Sequence, residues 1–469
     1  MNLKTVIGLE IHVQLKTKSK MFCGCDNNAE GASPNSLVCP VCLGLPGVLP
    51  VANRQAIEWT LLSGLALNCE IADFSKFDRK HYFYPDLPKG YQVSQFDLPF
   101  CIGGYLEIVN GDKARKINLR RIHLEEDAGK LLHADGSSLV DLNRAGTPLM
   151  EIVTEPDISS PQEAKIFLQE LRSIMRYLGV SSADMEKGHL RCDGNISVEV
   201  DGVEGIPVEI KNMNSFKMIE RALSYEEKRQ RELLENPPAG GEKIAKETRG
   251  WDDAKGVTYS QRSKEFAQDY RYFPEPDLPP FEVKQAFDFE KIKSKLPELP
   301  AQKRHRYVNE LGIKLQDAEI LAEDKQMAEY FEKVAKNADP KLAANWVINE
   351  LKLEGILNIS PEKLTEMIQM IQDGTISGKI AKEIFPEMLE NGRGAQEIVE
   401  EKGLKQVGDE DELGKIIDKI ILENPKPVAD IKAGKDGVRG YLVGLVMQKT
   451  KGQANPAIVN QILNERMGK

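Results

Sequence analysis

Residues 6–15 alternate strictly between apolar and polar or small side chains, and this constrains the fold more than any other feature of the chain. Ile7, Leu9, Ile11, Val13 and Leu15 are apolar, and Gly8, Glu10, His12 and Gln14 fall between them. A period of two predicts a strand with one face on a core and the other face polar. Glu10 and His12 then lie roughly 6.6 Å apart along one face, close enough to address a single ion or phosphate. The same spacing also suits a half-exposed strand with ordinary polar residues on its wet face.

The rest of the chain sorts into three regions. At 469 residues it is long enough for two to four domains. Residues 1–292 are rich in short alternating segments and turn signals. A strand is expected over 117–125, with Arg121, His123 and Glu125 on one face. A paired 196–200 and 206–211 is expected around Asp201-Gly202, with Glu209 and Lys211 sharing a polar face. Helical patterns lie at 54–66 and 161–178, and Asn236–Gly241 reads as a loop. Mixed elements of this kind predict an α+β domain. Residues 293–408 turn helical: Asp339-Pro340 and Ser360-Pro361 have the form of an N-cap followed by a first-turn proline. Leu364, Met367, Ile368 and Ile371 then form a packed stripe. Residues 409–469 form a further small helical segment, whose last helix is expected to be capped by Asn455-Pro456.

Composition narrows the function classes. A formal net charge of −10 argues against non-specific nucleic-acid binding by the whole surface, though not against a local basic patch. The uncharged stretch 31–53 contains four prolines and so cannot be a continuous helix. With Glu10 and His12 breaking the N-terminal apolar run, neither a membrane span nor a signal peptide is expected, and the location expected is cytoplasmic.

Seven cysteines, four of them clustered, suit a reducing compartment and a metal better than a disulfide framework. Cys23-Gly-Cys25 and Cys39-Pro-Val-Cys42 make two close thiolate pairs, able to wrap a tetrahedral ion such as Zn2+. Four sulfur ligands close such a site to substrate, which makes it structural. Free buried cysteines and a redox pair are the other readings of the pattern. Cys69, Cys101 and Cys192 lack a partner pattern and are expected in the core.

Acidic residues recur at strand ends: Glu125 in Leu124–Asp127 and Glu151 in Met150–Glu155. With Glu10 and His12 they could gather around Mg2+, which takes oxygen ligands from one or two carboxylates and keeps waters for a nucleotide's phosphates. Imidazole is an atypical magnesium ligand, so His12 suits Mn2+ or a contact through water. Surface carboxylates in salt bridges are the plain alternative. Basic residues accompany them, among them Arg79, Lys80, Lys89, Arg120, Arg121, Arg144 and Lys211, and phosphoryl transfer needs such cations. Neither a P-loop nor a dinucleotide fingerprint occurs, and the common hydrolase motifs are missing as well.

The tail differs in charge. Between Lys426 and Lys451 lie Lys432, Lys435, Arg439 and Lys449, against Asp430 and Asp436. Gly434, Gly437, Gly440 and Gly444 allow close backbone approach. This is either a solvated helical surface or a contact that positions an RNA backbone without reading its sequence.

Six blocks then carry a resemblance: IGLEIHVQLK (7–16) with FCGC (22–25), VCPVCLGLPGVLPVAN (38–53), KHYFYPDLPKGYQVSQ (80–95), NRAGTPLMEIVTEPD (143–157), VEIKNMNSF (208–216) and DYRYFPEPDLPP (269–280). In these the chain resembles the B subunits of the aspartyl/glutamyl-tRNA amidotransferases, the GatB family, densely to about residue 280 and more loosely beyond. The resemblance implies a carbon–nitrogen ligase step on Glu-tRNA(Gln) or Asp-tRNA(Asn). The B subunit phosphorylates the esterified amino acid's side-chain carboxylate with ATP. Ammonia from glutamine, released in an amidase-type A subunit, then attacks, and a small C subunit braces the heterotrimer. It further implies a catalytic domain of glutamine synthetase/guanido kinase type with a zinc-binding insertion. Glu10, His12, Glu125 and Glu151 would hold the divalent metal, and Lys89, Arg144 and Lys211 the nucleotide. Lys432, Lys435, Arg439, Lys449 and Lys451 would grip the tRNA. A zinc-stabilised tRNA-binding scaffold, with catalysis elsewhere in the complex, is the competing reading.

Overall fold

The structure is a computed structural model that describes the chain apart from residues 112, 135, 238–242, 264–270, 353–355, 357, 405–409, 433–438, 451–453, 455 and 468–469, and apart from the side chains of 134, 262–263, 410–412, 432 and 456–457. It divides into two units, Met1–Pro300 and Ala301–Lys469.

A mixed, ten-stranded sheet organises the first unit. Its strands are β1 (Leu3–Gln14), β2 (Glu70–Ile71), β3 (Cys101–Ile102), β4 (Tyr105–Asn110), β5 (Lys113–Glu126), β6 (Pro148–Thr154), β7 (Leu190–Val200), β8 (Val208–Lys211), β9 (Glu247–Asp252) and β10 (Val257–Ser263). They run in the spatial order β10-β9-β8-β7-β1-β6-β5-β3-β2, with β4 pairing β5. Only β8 and β9 pair in parallel; the other ladders are antiparallel.

β1 sits between β7 and β6, and its alternation is realised as expected. Ile7, Leu9, Ile11 and Val13 are buried in the core of this unit. Three helices, α1 (Arg54–Ala66), α2 (Pro161–Leu178) and α3 (Phe216–Glu235), contribute to that same core. The first two span the ranges expected from their periodicity. α2 begins where the Ser160 hydroxyl accepts from the Glu163 amide and ends at Gly179, whose φ of 71° closes the helix without a Cβ clash. Helices thus cover one face of the sheet and leave the polar residues of β1 on the other.

The expected pairing of 196–200 with 206–211 takes the form of β7 against β8, which places Asn195 opposite Glu209. The strand is longer than its apolar run suggested, because Arg191 and Asp193 continue the ladder against β1. Cys69, Cys101 and Cys192 are buried.

The second unit is helical and holds two separate apolar clusters, one from Tyr307 to Val399 and one from Leu413 to Met467. The Asp339 and Ser360 caps form as expected, accepting from the Leu342 and Lys363 amides. The helix Pro456–Met467 closes the chain, while the expected Asn455 cap and most of the 236–241 loop lie outside the described residues. Among the described residues no helix is long and apolar enough to cross a membrane.

Candidate metal centre and cation-lined cavity

Antiparallel register builds the centre. On the face away from the helices, His12 of β1 lies directly opposite Glu151 of β6, and Glu151 lies opposite His123 of β5. Side chains so paired share one face of the sheet and touch. Glu125 follows His123 by two residues and so projects the same way. The distances follow from this: His12 Nε2 is 3.4 Å from Glu151 and 3.8 Å from Glu125. His123 Nε2 is 3.1 Å from Glu151 and 3.7 Å from Glu125. Ser94 donates to the second Glu125 oxygen at 2.9 Å. One ligand atom each from His12, Glu125 and Glu151 falls within a mutual 4.8 Å, a spacing that suits a divalent cation.

Charge and burial compete here. Burial works against the charged form of His123, but the Glu151 charge and hydrogen bonds with Glu125 and Glu151 outweigh it and hold the imidazole up at about 9. His12 is raised too: burial opposes, and the hydrogen bond and charge of Glu151 prevail. Glu151 is held well below the usual carboxylate range despite its burial, by the His123 charge and its contacts with His12. The two imidazoles and the two carboxylates thus favour one another's charged forms. His123 Nδ1 is buried without a hydrogen-bond partner.

The centre opens into a cavity of about 530 Å3. Glu10 lines it but is not one of the clustered ligand atoms; its carboxylate accepts from Asn195 at 3.1 Å. Burial and the charges of Glu151, Glu209 and Asp193 push its carboxyl up. Lys211 lines the cavity between Asp193, at 2.5 Å, and Glu209, at 3.2 Å. Arg144 lines it as well, donating to the carbonyls of Ala128 and Gly129. Lys89, expected at the nucleotide with Arg144 and Lys211, does not line this cavity. Strand alternation turns Glu126 away from Glu125, and Lys89 pairs with Glu126 in a smaller pocket of about 130 Å3 beside Cys23 and Cys42.

Sequence reading missed several residues that the fold brings in. His123 was visible on the face of Glu125 but carried no motif of its own. Arg191 and Asp127 also line the cavity, together with Lys80 from the basic residues already named, and Arg191 donates to Asp127 at 2.7 Å. The alternation of Arg191 with Asp193 was their one local signal.

The cysteines form a second cluster. The sulfurs of Cys23, Cys25, Cys39 and Cys42 lie within 4.8 Å of one another, with Cys39 and Cys42 at 3.9 Å. Around a tetrahedral zinc, sulfurs stand about 3.8 Å apart, so the donor set and spacing fit. The Cys42 thiol is lowered to about 4, chiefly by its hydrogen bond with Cys23, then by the Cys39 amide and the Lys20 charge. In the tail, Arg439 and Lys449 lie on a helix, and Lys449 pairs with Glu423 at 2.9 Å. The Lys432 side chain, Lys435 and Lys451, with Gly434 and Gly437, lie outside the described residues.

The model of the GatB/GatE catalytic domain matches residues 5–288, and that of the GatB domain matches 329–467. Proteins named as the B subunit of aspartyl/glutamyl-tRNA(Asn/Gln) amidotransferase are similar along their whole length. That of Persephonella marina is 52% identical, with 99% of each chain covered. That of Thermoanaerobacter sp. is 51% identical with full coverage of both, and that of Carboxydothermus hydrogenoformans 50% with 99% of each. The chain belongs to the family of aspartyl/glutamyl-tRNA(Asn/Gln) amidotransferase B subunits.

Proposed function

We propose that this chain activates the side-chain carboxylate of Glu on tRNA(Gln), or of Asp on tRNA(Asn), by phosphorylation with ATP, as one subunit of a complex. The observation that carries this reading is the convergence of His12, Glu125 and Glu151 in a cavity that also presents Lys80, Arg144, Arg191 and Lys211. A carboxylate is a poor electrophile toward ammonia. Its oxygen attacks the γ-phosphorus, the bond to the β–γ bridging oxygen breaks, and ADP leaves. Ammonia then attacks the acyl carbon of the mixed anhydride, and phosphate departs with formation of the amide.

Glu125, Glu151 and His12 would hold Mg2+ or Mn2+, which when bound spreads charge on phosphate oxygens. Lys80, Arg144, Arg191 and Lys211 face the space where the triphosphate would lie, and their charge offsets its own. Glu10, at the cavity wall, keeps a third carboxylate near that cation. Lys89, held by Glu126 in the smaller pocket, contributes to the nucleotide only if that pair opens. The four cysteines would hold a structural Zn2+.

The catalytic unit would be of glutamine synthetase/guanido kinase type over 1–292 with a zinc-binding insertion, followed by helical domains at 293–408 and 409–469. The two apolar clusters of the helical unit support that last division. The last domain, through Lys432, Lys435, Arg439, Lys449 and Lys451, would hold the tRNA backbone. Amidase-type A and small C subunits would complete a cytoplasmic heterotrimer. Family membership favours this reading over a zinc-stabilised scaffold.

The test supplies the assembled complex with Glu-tRNA(Gln), ATP, Mg2+ and an ammonium salt. Gln-tRNA and ADP should form, and Glu125→Ala should abolish ADP formation while tRNA affinity stays nearly intact. Full turnover by that variant would overturn the metal assignment.

A further inference from the structure

Lys20 is completely buried, yet among the described residues no carboxylate meets its ammonium. Its three donors point to the Leu37 carbonyl at 2.8 Å, the Leu142 carbonyl at 3.4 Å and Cys42 Sγ at 3.8 Å. A buried ammonium is costly unless an opposite charge accompanies it. Of the three partners, only the sulfur can carry a full negative charge. Four thiolates around one divalent cation retain a net negative charge, part of which the lysine offsets.

The same side chain joins two parts of the fold. Leu142 opens the turn that carries Asn143 and Arg144. Asn143 accepts from the Leu37 amide at 2.8 Å and donates to the Ser33 carbonyl at 2.7 Å. Gly146 accepts from the Met21 amide at 2.6 Å, and its own amide donates to the Asp127 carbonyl at 3.0 Å. A Cβ on Gly146 would sit 3.5 Å from the Lys20 stem and 3.6 Å from Cys42, and its φ of +85° disfavours any side chain. The cysteine loop, the Lys20 stem and the 142–147 turn are thus packed as one piece, with Arg144 at its cavity end.

We propose that Lys20 is a positioning residue: it supplies the counter-charge of a four-thiolate metal centre and fastens that centre to the turn that sets Arg144 against the cavity. The proposal rests on the reading of the four cysteines as a metal site. Loss of the metal frees Cys42 from the other three sulfurs, so that sulfur no longer holds the ammonium in a fixed place. The ammonium then withdraws from Cys42 and Leu142, and the turn loosens.

Two measurements on the full-length chain test this. Zinc transfer to a chromogenic chelator should run about tenfold faster from Lys20→Met than from the parent, with Lys20→Arg, which keeps the charge, slower than Lys20→Met. Hydrogen exchange at the 142–147 amides of the parent should quicken when zinc is removed, a readout that stands even where Lys20→Met does not fold. Equal transfer rates in parent and Lys20→Met, or exchange at 142–147 indifferent to zinc, would overturn the role of Lys20. A parent protein that carries no zinc by elemental analysis and takes none up would instead overturn the cysteine reading itself, and the role of Lys20 with it.

Discussion

His12 and Glu151 are direct register partners on β1 and β6, with 3.4 Å between the imidazole Nε2 and a carboxylate oxygen. The pairing puts a group that gains a proton beside one that holds a cation. A proton and a divalent metal therefore compete for the same place.

That competition has a sign. His12 is raised above its usual range, so metal entry competes with a proton up to a higher pH than at an ordinary imidazole. Apparent Mn2+ affinity should rise with pH through the neutral range, by up to about tenfold per pH unit for one proton released. Calorimetry in buffers of different ionisation enthalpy checks this. His12→Gln should remove both the proton release and the slope, and binding without proton release in the parent would refute the competition.

His123 should stabilise the metal-free protein in a pH-dependent way. Its folded value of about 9 lies above the roughly 6.5 of an unfolded histidine. The contribution is whole below about pH 6.5 and is lost as pH rises through about 9. His123→Gln leaves two buried carboxylates with His12 as their one remaining imidazole and should cost about 3 kcal/mol near pH 6. Thermal melts across this range should show a decline in the parent that the variant lacks, and Mn2+ should restore part of the variant's loss.

Cys39→Ser removes one of four sulfurs. Bound zinc should fall to a small fraction of the parental content by elemental analysis. Hydrogen exchange over residues 20–50 should quicken as the two cysteine turns lose their shared centre. Unchanged metal content would return the cysteines to ordinary buried thiols.

Replacing Arg439 and Lys449 together by Gln should weaken tRNA binding and reduce its dependence on salt. For every phosphate no longer neutralised, the log–log slope falls by about 0.7 to 0.9. Filter binding between low and moderate salt measures both effects, and an unchanged slope would leave these residues as a solvated helical surface.

Local pattern was enough for the elements and for some of the chemistry. A period of two announced β1 and its Glu10/His12 face, and the helix ranges 54–66 and 161–178 followed from apolar spacing. The cysteine spacing announced a cluster whose sulfurs do converge. These were legible because each depends on residues close in the chain, where strand alternation, helix period and turn reach act directly.

What tertiary structure alone decided is which distant residues share a rung. Glu151 stands beside His12 and His123 because β6 lies between β1 and β5 in a given antiparallel register, and a shift of one residue would have turned its carboxylate into the core. The same long-range pairing brought in Arg191, drew Lys89 to Glu126, and set the buried Lys20 between Cys42 and the turn before Arg144. Register between strands more than a hundred residues apart is fixed by packing of the whole sheet, and no local window of residues contains it.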